Sequence, residues 1–130
     1  MHAVRISIKG ADGPENDRMR GRTGAFDDAM TGIRNALDAE LLVDMFVVVS
    51  PANIDSLDEL YSLACDLGVH EVSLYEIIAV GRWMDHEDEV ITSQDVVRLK
   101  NFQKRINRQP DGPRVTAFPY FIGPELFGWF

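Results

Sequence analysis

The chain has 130 residues, of which 45% are hydrophobic, and its 13 basic and 21 acidic residues give a formal net charge of −8. This length predicts a single domain, residues 1–130, with a buried core, and the acidic balance argues against the basic face that a nucleic-acid partner requires. The sequence shows neither an apolar run of the roughly 20 residues that span a bilayer nor a signal-peptide pattern, so we expect no membrane partner and a cytoplasmic location.

Strand and helix patterns alternate along the chain. We expect strands at residues 4–8, 41–49, 71–79 and 114–118, because these runs are apolar and rich in β-branched residues. Helices are predicted to begin near Thr23, Ser56 and Thr92, and the last two positions open capping boxes, Ser56-x-x-Glu59 and Thr92-x-x-Asp95. Residues 119–130 form an aromatic C-terminal tail.

This order predicts an α/β fold with βαβαβαβ topology and one parallel sheet. The almost continuously apolar second strand is typical of a strand that is buried on both faces. Four such units form either a small open sheet or one half of a TIM-like (β/α) barrel, and the pattern alone leaves both possibilities open.

The loop after the first strand is the candidate site for a small-molecule ligand. Ser7 lies near the end of that strand, and a Gly-rich loop over residues 10–21 carries Arg18 and Arg20. In parallel α/β proteins, ligands bind at the carboxyl ends of the strands, so Ser7 and this loop are the first place to look.

Several pieces of the sequence resemble strands four to six of the radical S-adenosylmethionine (SAM) barrel. The pieces are Ser7-x-x-Gly10-Ala11, Asn16-Asp17-Arg18-Met19-Arg20-Gly21, Ser50-Pro51-Ala52-Asn53 and Ala79-Val80-Gly81-Arg82. The resemblance is closest to the subgroup with a C-terminal auxiliary iron–sulfur cluster domain, and it covers roughly residues 4–118. It implies the C-terminal half of a barrel, a partial domain cut at both ends.

The resemblance also implies an activity. Radical SAM enzymes cleave SAM reductively with a 4Fe–4S cluster, and the resulting radical abstracts hydrogen from a substrate. The family's Cys-x3-Cys-x2-Cys loop and its glycine–glutamate motif do not occur here, and Cys65 alone cannot hold a cluster. We therefore expect a fragment of such an oxidoreductase that is inactive by itself.

Four residues match positions that contact SAM in this family. Ser7 matches a hydroxyl that approaches SAM, and Arg20 matches the arginine that pairs with its carboxylate. Ile78 and Val80 match the segment that lies against the adenine. Lys9 stands where the family usually has an acidic residue, which reverses the local charge. No catalytic residue is assigned.

Two other features have plainer interpretations. The acidic stretch 85–89 is predicted to be a solvated loop and not a metal site, because consecutive residues on a loop do not converge on one ion. Asn53 is expected to cap a turn.

Two alternatives to the fragment hypothesis remain. The chain could be a small acidic α/β binding or interaction module, or a subunit that completes the barrel of another chain. The two open sheet edges of four βα units, together with the aromatic tail, predict a homo-oligomer.

Overall fold

A computed structural model describes residues 2–79, 92–109 and 111–122. The elements, in chain order, are β1 (Ala3–Ser7), α1 (Gly13–Arg20), α2 (Ala25–Asp38), β2 (Leu42–Val49), a 3₁₀ turn (Ile54–Ser56), α3 (Leu57–Leu67), β3 (Glu71–Ala79), α4 (Ser93–Asn107) and β4 (Arg114–Ile122). Four strands alternate with helices, which confirms the predicted α/β fold.

The strands form one sheet in the order β1-β2-β3-β4, and every neighbouring pair is parallel. Ser7, Phe46, Ser73 and Thr116 lie side by side across it. Because the order follows the sequence without reversal, right-handed crossovers place all the helices on one face of the sheet. This arrangement is consistent with part of a (β/α) repeat, and closure into a half barrel stays a prediction.

The core lies between the sheet and its helices. Side chains of β2 and β3 meet those of the helices there, among them Val43, Met45, Val47, Leu74, Ile33, Leu60 and Leu99, each at most 1% exposed. The prediction that the second strand is buried on both faces is wrong. Asp44, Phe46 and Val48 alternate with the buried residues and are only partly buried, because described helices cover one face alone.

The loop predicted for residues 10–21 contains the helix α1, which the sequence interpretation missed. Asp12 caps it by accepting the Glu15 N–H at 2.9 Å, Pro14 lies in its first turn, and Gly21 ends it at φ 71°. Pro in the first turn and a left-handed glycine after the last are ordinary helix boundaries. The segment lacked an apolar stripe, so periodicity could not reveal it.

The starts of α2 near Thr23 and of α3 after Ser56 agree with the sequence, whereas the capping box predicted at Ser56 is wrong. Gly24, and not Thr23, is the N-cap of α2, and the carboxylate of Asp17 supplies the cap. Ser56 makes no cap hydrogen bond, because a 3₁₀ turn precedes α3 and the Ser56 hydroxyl contacts Glu15 instead.

One prediction for the C-terminal part of the chain is confirmed. The capping box of Thr92 and Asp95 is present at the start of α4. β4 continues to Ile122 and so includes the first residues of the predicted aromatic tail. The rest of that tail, the acidic stretch 85–89 and Val80 lie outside the described residues. No helix in the described ranges is long and apolar enough to cross a membrane.

Candidate functional site

The structure brings Ser7 and Arg20 together. Ser7 is the last residue of β1 and Arg20 the last residue of α1, and the Arg20 Nη2 donates a hydrogen bond to the Ser7 main-chain oxygen at 2.9 Å. Ser7 and Arg20 are 13 positions apart in the sequence, and the segment between them closes into a loop whose two ends meet at the carboxyl end of β1. The two residues lie as neighbours at one strand end, and their contact with SAM stays a prediction.

Ile78 lies elsewhere at the same edge of the sheet. It is the second-to-last residue of β3. Ser7 lies level with Ser73, which precedes Ile78 by five residues in β3. At about 3.3 Å per residue, Ile78 lies roughly 16 Å farther along the strand direction than Ser7. Val80, the fourth predicted site residue, is outside the described residues.

A groove of about 560 Å³ runs along β1 beside this contact. Its lining includes three arginines and one carboxylate, and its residues are Arg5, Ile6, Ser7, Arg20, Arg22, Ala25, Asp28 and Ala29. Arg22 pairs with that carboxylate, Asp28, at 2.9 Å. The groove is therefore locally basic in a chain of net charge −8, and its donor set suits a carboxylate.

The segment after Ser7 is held by two buried asparagines that the sequence did not reveal as a pair. Asn16 Oδ1 accepts the main-chain N–H groups of Lys9 at 2.7 Å and Gly10 at 3.1 Å. Asn53 Nδ2 donates to the Lys9 oxygen at 3.2 Å. The asparagines are 1% and 0% exposed, respectively. The Lys9 main chain is thus fixed on both sides.

Asn53 does cap a turn, as its sequence context predicts. Its Oδ1 accepts the Ser50 N–H at 2.9 Å, and its Nδ2 also donates to the Val48 oxygen at 2.9 Å. The additional bond to Lys9 reaches across 44 residues, and local turn patterns carry no signal for such a contact.

A polar and aromatic cluster occupies the sheet face opposite the helices. Arg5 donates to Asp44 at 2.9 Å and to the Tyr75 hydroxyl at 2.9 Å. Its guanidinium lies 5.9 Å from the centre of the Phe46 ring, a cation–π distance. The hydrogen bond to Asp44 raises the pKa of Arg5, so the guanidinium is charged at every physiological pH.

The cluster continues into the middle of the sheet. The Ser73 hydroxyl, 1% exposed, donates to Asp44 at 2.8 Å and lies 3.3 Å from the Thr116 hydroxyl. Thr116 in turn donates to Glu71 at 3.2 Å. Asp44 and Glu71 are paired across β2 and β3, and only this register shows that they share a face.

The described residues do not fit an iron–sulfur cluster. The chain has one cysteine, Cys65, which is exposed on α3, whereas such a cluster is held by several thiolates. Across residues 2–79, 92–109 and 111–122, no group of three or more His, Cys, Asp and Glu side chains could hold a metal ion.

Three curated proteins match the chain in sequence. The AdoMet-dependent heme synthase of Nitratidesulfovibrio vulgaris is 28% identical over 97 residues, which are 75% of this chain and 26% of that protein. The AdoMet-dependent heme synthase of Methanosarcina barkeri is 31% identical over 65% of this chain and 24% of its own length. The pre-heme d1 synthase of Dinoroseobacter shibae is 34% identical over 61% of this chain and 19% of its own length.

These relatives are radical SAM enzymes. The chain is similar in sequence to radical SAM enzymes. The resemblance inferred from its motifs is thereby confirmed at modest identity, although no protein-family model matches the chain. The chain spans about a quarter or less of the length of these radical SAM relatives.

Proposed function

We propose that this chain is a segment of a radical SAM protein and that it supplies one wall of the SAM site. In this proposal Arg20 binds the SAM carboxylate, Ser7 lies beside the ligand, and residues 78–80 approach the adenine. The relatives are named for heme and pre-heme d1 synthesis, and we extend to this chain only their use of SAM.

The observation that carries the proposal is the hydrogen bond from Arg20 to Ser7 at the end of β1. It brings the two matched residues together at the sheet edge where parallel α/β proteins bind ligands, and this supports the proposal. A guanidinium has five N–H donors, and the bond to Ser7 uses one of them. The basic groove along β1 supports a carboxylate at the same place.

SAM, when bound, supplies a methionine carboxylate for Arg20 and, in the parent family, the source of the radical. The chain's own residues bind and orient it. Because the one thiolate of Cys65 cannot replace the several that a cluster needs, we infer that the chain does not cleave SAM by itself. Anaerobic reconstitution should leave no stoichiometric iron and sulfide on the purified chain, and stoichiometric loading would contradict this inference.

Calorimetric titration with SAM and with S-adenosylhomocysteine tests the SAM role. We expect weak binding that Arg20→Ala reduces by about 1.5 to 3 kcal/mol, the usual worth of a hydrogen bond to a charged group. Arg20→Lys keeps the charge but loses the planar fork, so it should restore only part of the affinity.

The matched control is Arg22→Ala. Arg22 lines the same groove, but its guanidinium is paired with Asp28. The control should therefore change the affinity much less than Arg20→Ala. Equal losses from both variants would mean that the groove attracts anions only through its general charge, and no heat at millimolar ligand would refute the SAM role.

The outer edge of β1 favours a second candidate function, completion of a barrel together with another chain. Ile8 donates its N–H to Phe46, and the His2 oxygen accepts from Leu42. In a parallel ladder alternate residues point to the same neighbour, so Ala3, Arg5 and Ser7 direct their N–H and C=O groups away from β2. The Ser7 oxygen accepts from Arg20, so the edge offered to another chain is that of Ala3 and Arg5. Such an edge can pair with a further strand.

A further inference from the structure

We propose that Asn53 is a positioning residue for the SAM site, which it does not touch. It holds the β1 loop, residues 8–20, to the end of β2 through the Lys9 carbonyl and so helps to place α1, and with it Arg20, beside Ser7. This inference rests on the proposed role of Ser7 and Arg20 in binding SAM.

The β1 loop is a closed ring of contacts. The Lys9 and Gly10 N–H groups bind Asn16 at the start of α1, and Arg20 at the end of α1 returns to the Ser7 oxygen. The strand end and α1 are therefore fixed to each other at two points. The ladder bond from the Ile8 N–H to the Phe46 oxygen fixes β1 against β2, whereas the next two N–H groups, of Lys9 and Gly10, bind Asn16 instead of β2.

Gly10 shows how closely the ring is packed. A Cβ atom there would lie 2.6 Å from the Asn16 nitrogen and 2.8 Å from Glu15 Cγ, well inside van der Waals contact. This close approach and the two hydrogen bonds to Asn16 couple the Lys9–Gly10 main chain to α1. A contact at Lys9 therefore also helps to position α1 and Arg20.

Asn53 makes such a contact at Lys9. Its amide nitrogen bridges the Val48 oxygen of β2 and the Lys9 oxygen of the ring, and its amide oxygen accepts from Ser50. All three polar bonds are made by a side chain that is 0% exposed, so water cannot replace them without opening the structure. A longer, partly buried hydrogen bond from Ser56 Oγ to Glu15 Oε1, at 3.3 Å, joins the same two segments.

The chemistry of the amide identifies the informative variant. Asn53→Asp keeps an oxygen that can accept the Ser50 N–H but replaces the donor with a second acceptor, which faces the Val48 and Lys9 oxygens. It should release the ring from β2 and preserve the turn. Ser50→Ala is the matched control, because it removes the Ser50 hydroxyl that accepts from Ala52 in the same turn and leaves the Lys9 contact untouched.

Two measurements on the full chain test the proposal, amide hydrogen exchange and SAM titration. In Asn53→Asp, the Lys9 and Gly10 amides should exchange about tenfold faster and the dissociation constant for SAM should rise about tenfold, as expected for one buried hydrogen bond. Ser50→Ala should change neither value. A merely structural role would instead lower the denaturation midpoint without a selective effect on Lys9, Gly10 or SAM.

The outcomes separate this proposal from the SAM role itself. If Asn53→Asp leaves Lys9 and Gly10 exchange at the native rate, or speeds exchange but leaves SAM affinity unchanged, the positioning role is refuted. If the native chain binds no SAM, the proposed function fails, and the exchange of Lys9 and Gly10 alone decides whether Asn53 holds the loop.

A further measurement uses the native chain and therefore tests the proposal even if Asn53→Asp does not fold. In the unaltered chain the Ser50 amide donates to Asn53, and the Lys9 amide donates to Asn16 on the other side of the same contact. If Asn53 joins the two loops, these amides should show the same protection and the same dependence on denaturant. Protection that differs by more than about tenfold, which is 1.4 kcal/mol, would overturn the proposal.

Discussion

The carboxylate of Asp17 caps the helix that follows its own, since its Oδ1 accepts the Phe26 N–H at 2.8 Å. Its Oδ2 accepts the Gly24 N–H at 2.9 Å, so one side chain of α1 satisfies two main-chain donors at the start of α2. The contact fixes the angle between the two helices and thereby the position of Arg20 at the end of α1.

This relationship predicts a pH dependence of stability. The hydrogen bonds from Phe26 and Gly24 lower the pKa of Asp17 below its ordinary value of 3.8. A lowered folded-state pKa contributes stability above 3.8, and this contribution is lost as the pH falls through the folded value. In urea unfolding, the difference in midpoint between the native chain and Asp17→Asn should therefore be largest near neutral pH and should shrink below pH 3.8.

Asp38→Asn is the control for that experiment, because it removes an exposed carboxylate from the other end of α2. Its midpoint difference from the native chain should be small across the same pH range. A difference between native and Asp17→Asn that does not shrink on acidification would show that the cap does not depend on the charge of Asp17.

The two glycines Gly10 and Gly32 should respond oppositely to alanine. A Cβ at Gly10 would overlap the Asn16 main chain, so Gly10→Ala should destabilise the fold by about 1 to 3 kcal/mol. Gly32 lies inside α2, where a Cβ would meet only Ile6 Cδ1 at 3.7 Å, so Gly32→Ala should stabilise by up to about 1 kcal/mol. Equilibrium unfolding measures both, and destabilisation of similar size by both would contradict the packing described for the β1 loop.

The buried Ser73 hydroxyl should contribute more to the stability of the fold than its small size suggests. Ser73→Ala removes the donor to Asp44, a carboxylate whose side chain is only 14% exposed, and should cost about 1 to 3 kcal/mol. Ser62→Ala, on the exposed side of α3, should change stability little or raise it slightly. If Ser73→Ala is neutral, water reaches Asp44 and the cluster on the open sheet face is not a unit.

The strands were largely predictable from the sequence, while the site was only partly so. Runs such as Val47-Val48-Val49 identify a strand by composition alone, and β3 matches its predicted bounds. α1 escaped because Gly13-Pro14-Glu15-Asn16 has helix-boundary residues but no apolar stripe. Its position depends on the bonds of Asn16 to Lys9 and of Arg20 to Ser7.

The contacts that organise the site are of a kind that local sequence does not encode. Asn53 and Lys9 are 44 residues apart, and only the parallel pairing of β1 with β2 brings them together. Asp44 likewise lies on the open face of β2 because the helices cover the other face. The hydrophobic residues around it in the sequence hid the alternation of buried and partly buried positions. Patterns therefore revealed the elements, whereas the pairing of polar atoms required the sheet.

The outward edge of β1 predicts association in solution. We propose that the chain forms a homodimer, or a larger homo-oligomer, that buries at least about 1,000 Å² in total. Ala3→Pro removes an N–H that points away from β2, so it should weaken the dimer and leave the β1–β2 ladder intact. Lys100→Ala, on the exposed side of α4, is the control. Light scattering that finds a single-chain mass for the native protein, unchanged on dilution, would contradict the dimer.

Whether the end of β1 forms part of a SAM site is tested most directly by mapping amide shifts while S-adenosylhomocysteine is titrated into isotope-labelled chain. We expect saturable shifts at Ser7, at Lys9 and Gly10, and at Arg20 and Ile78, with none in the groove between Asp55 and Arg98 on the helical face. No shifts at millimolar ligand, or shifts confined to that helical groove, would contradict it.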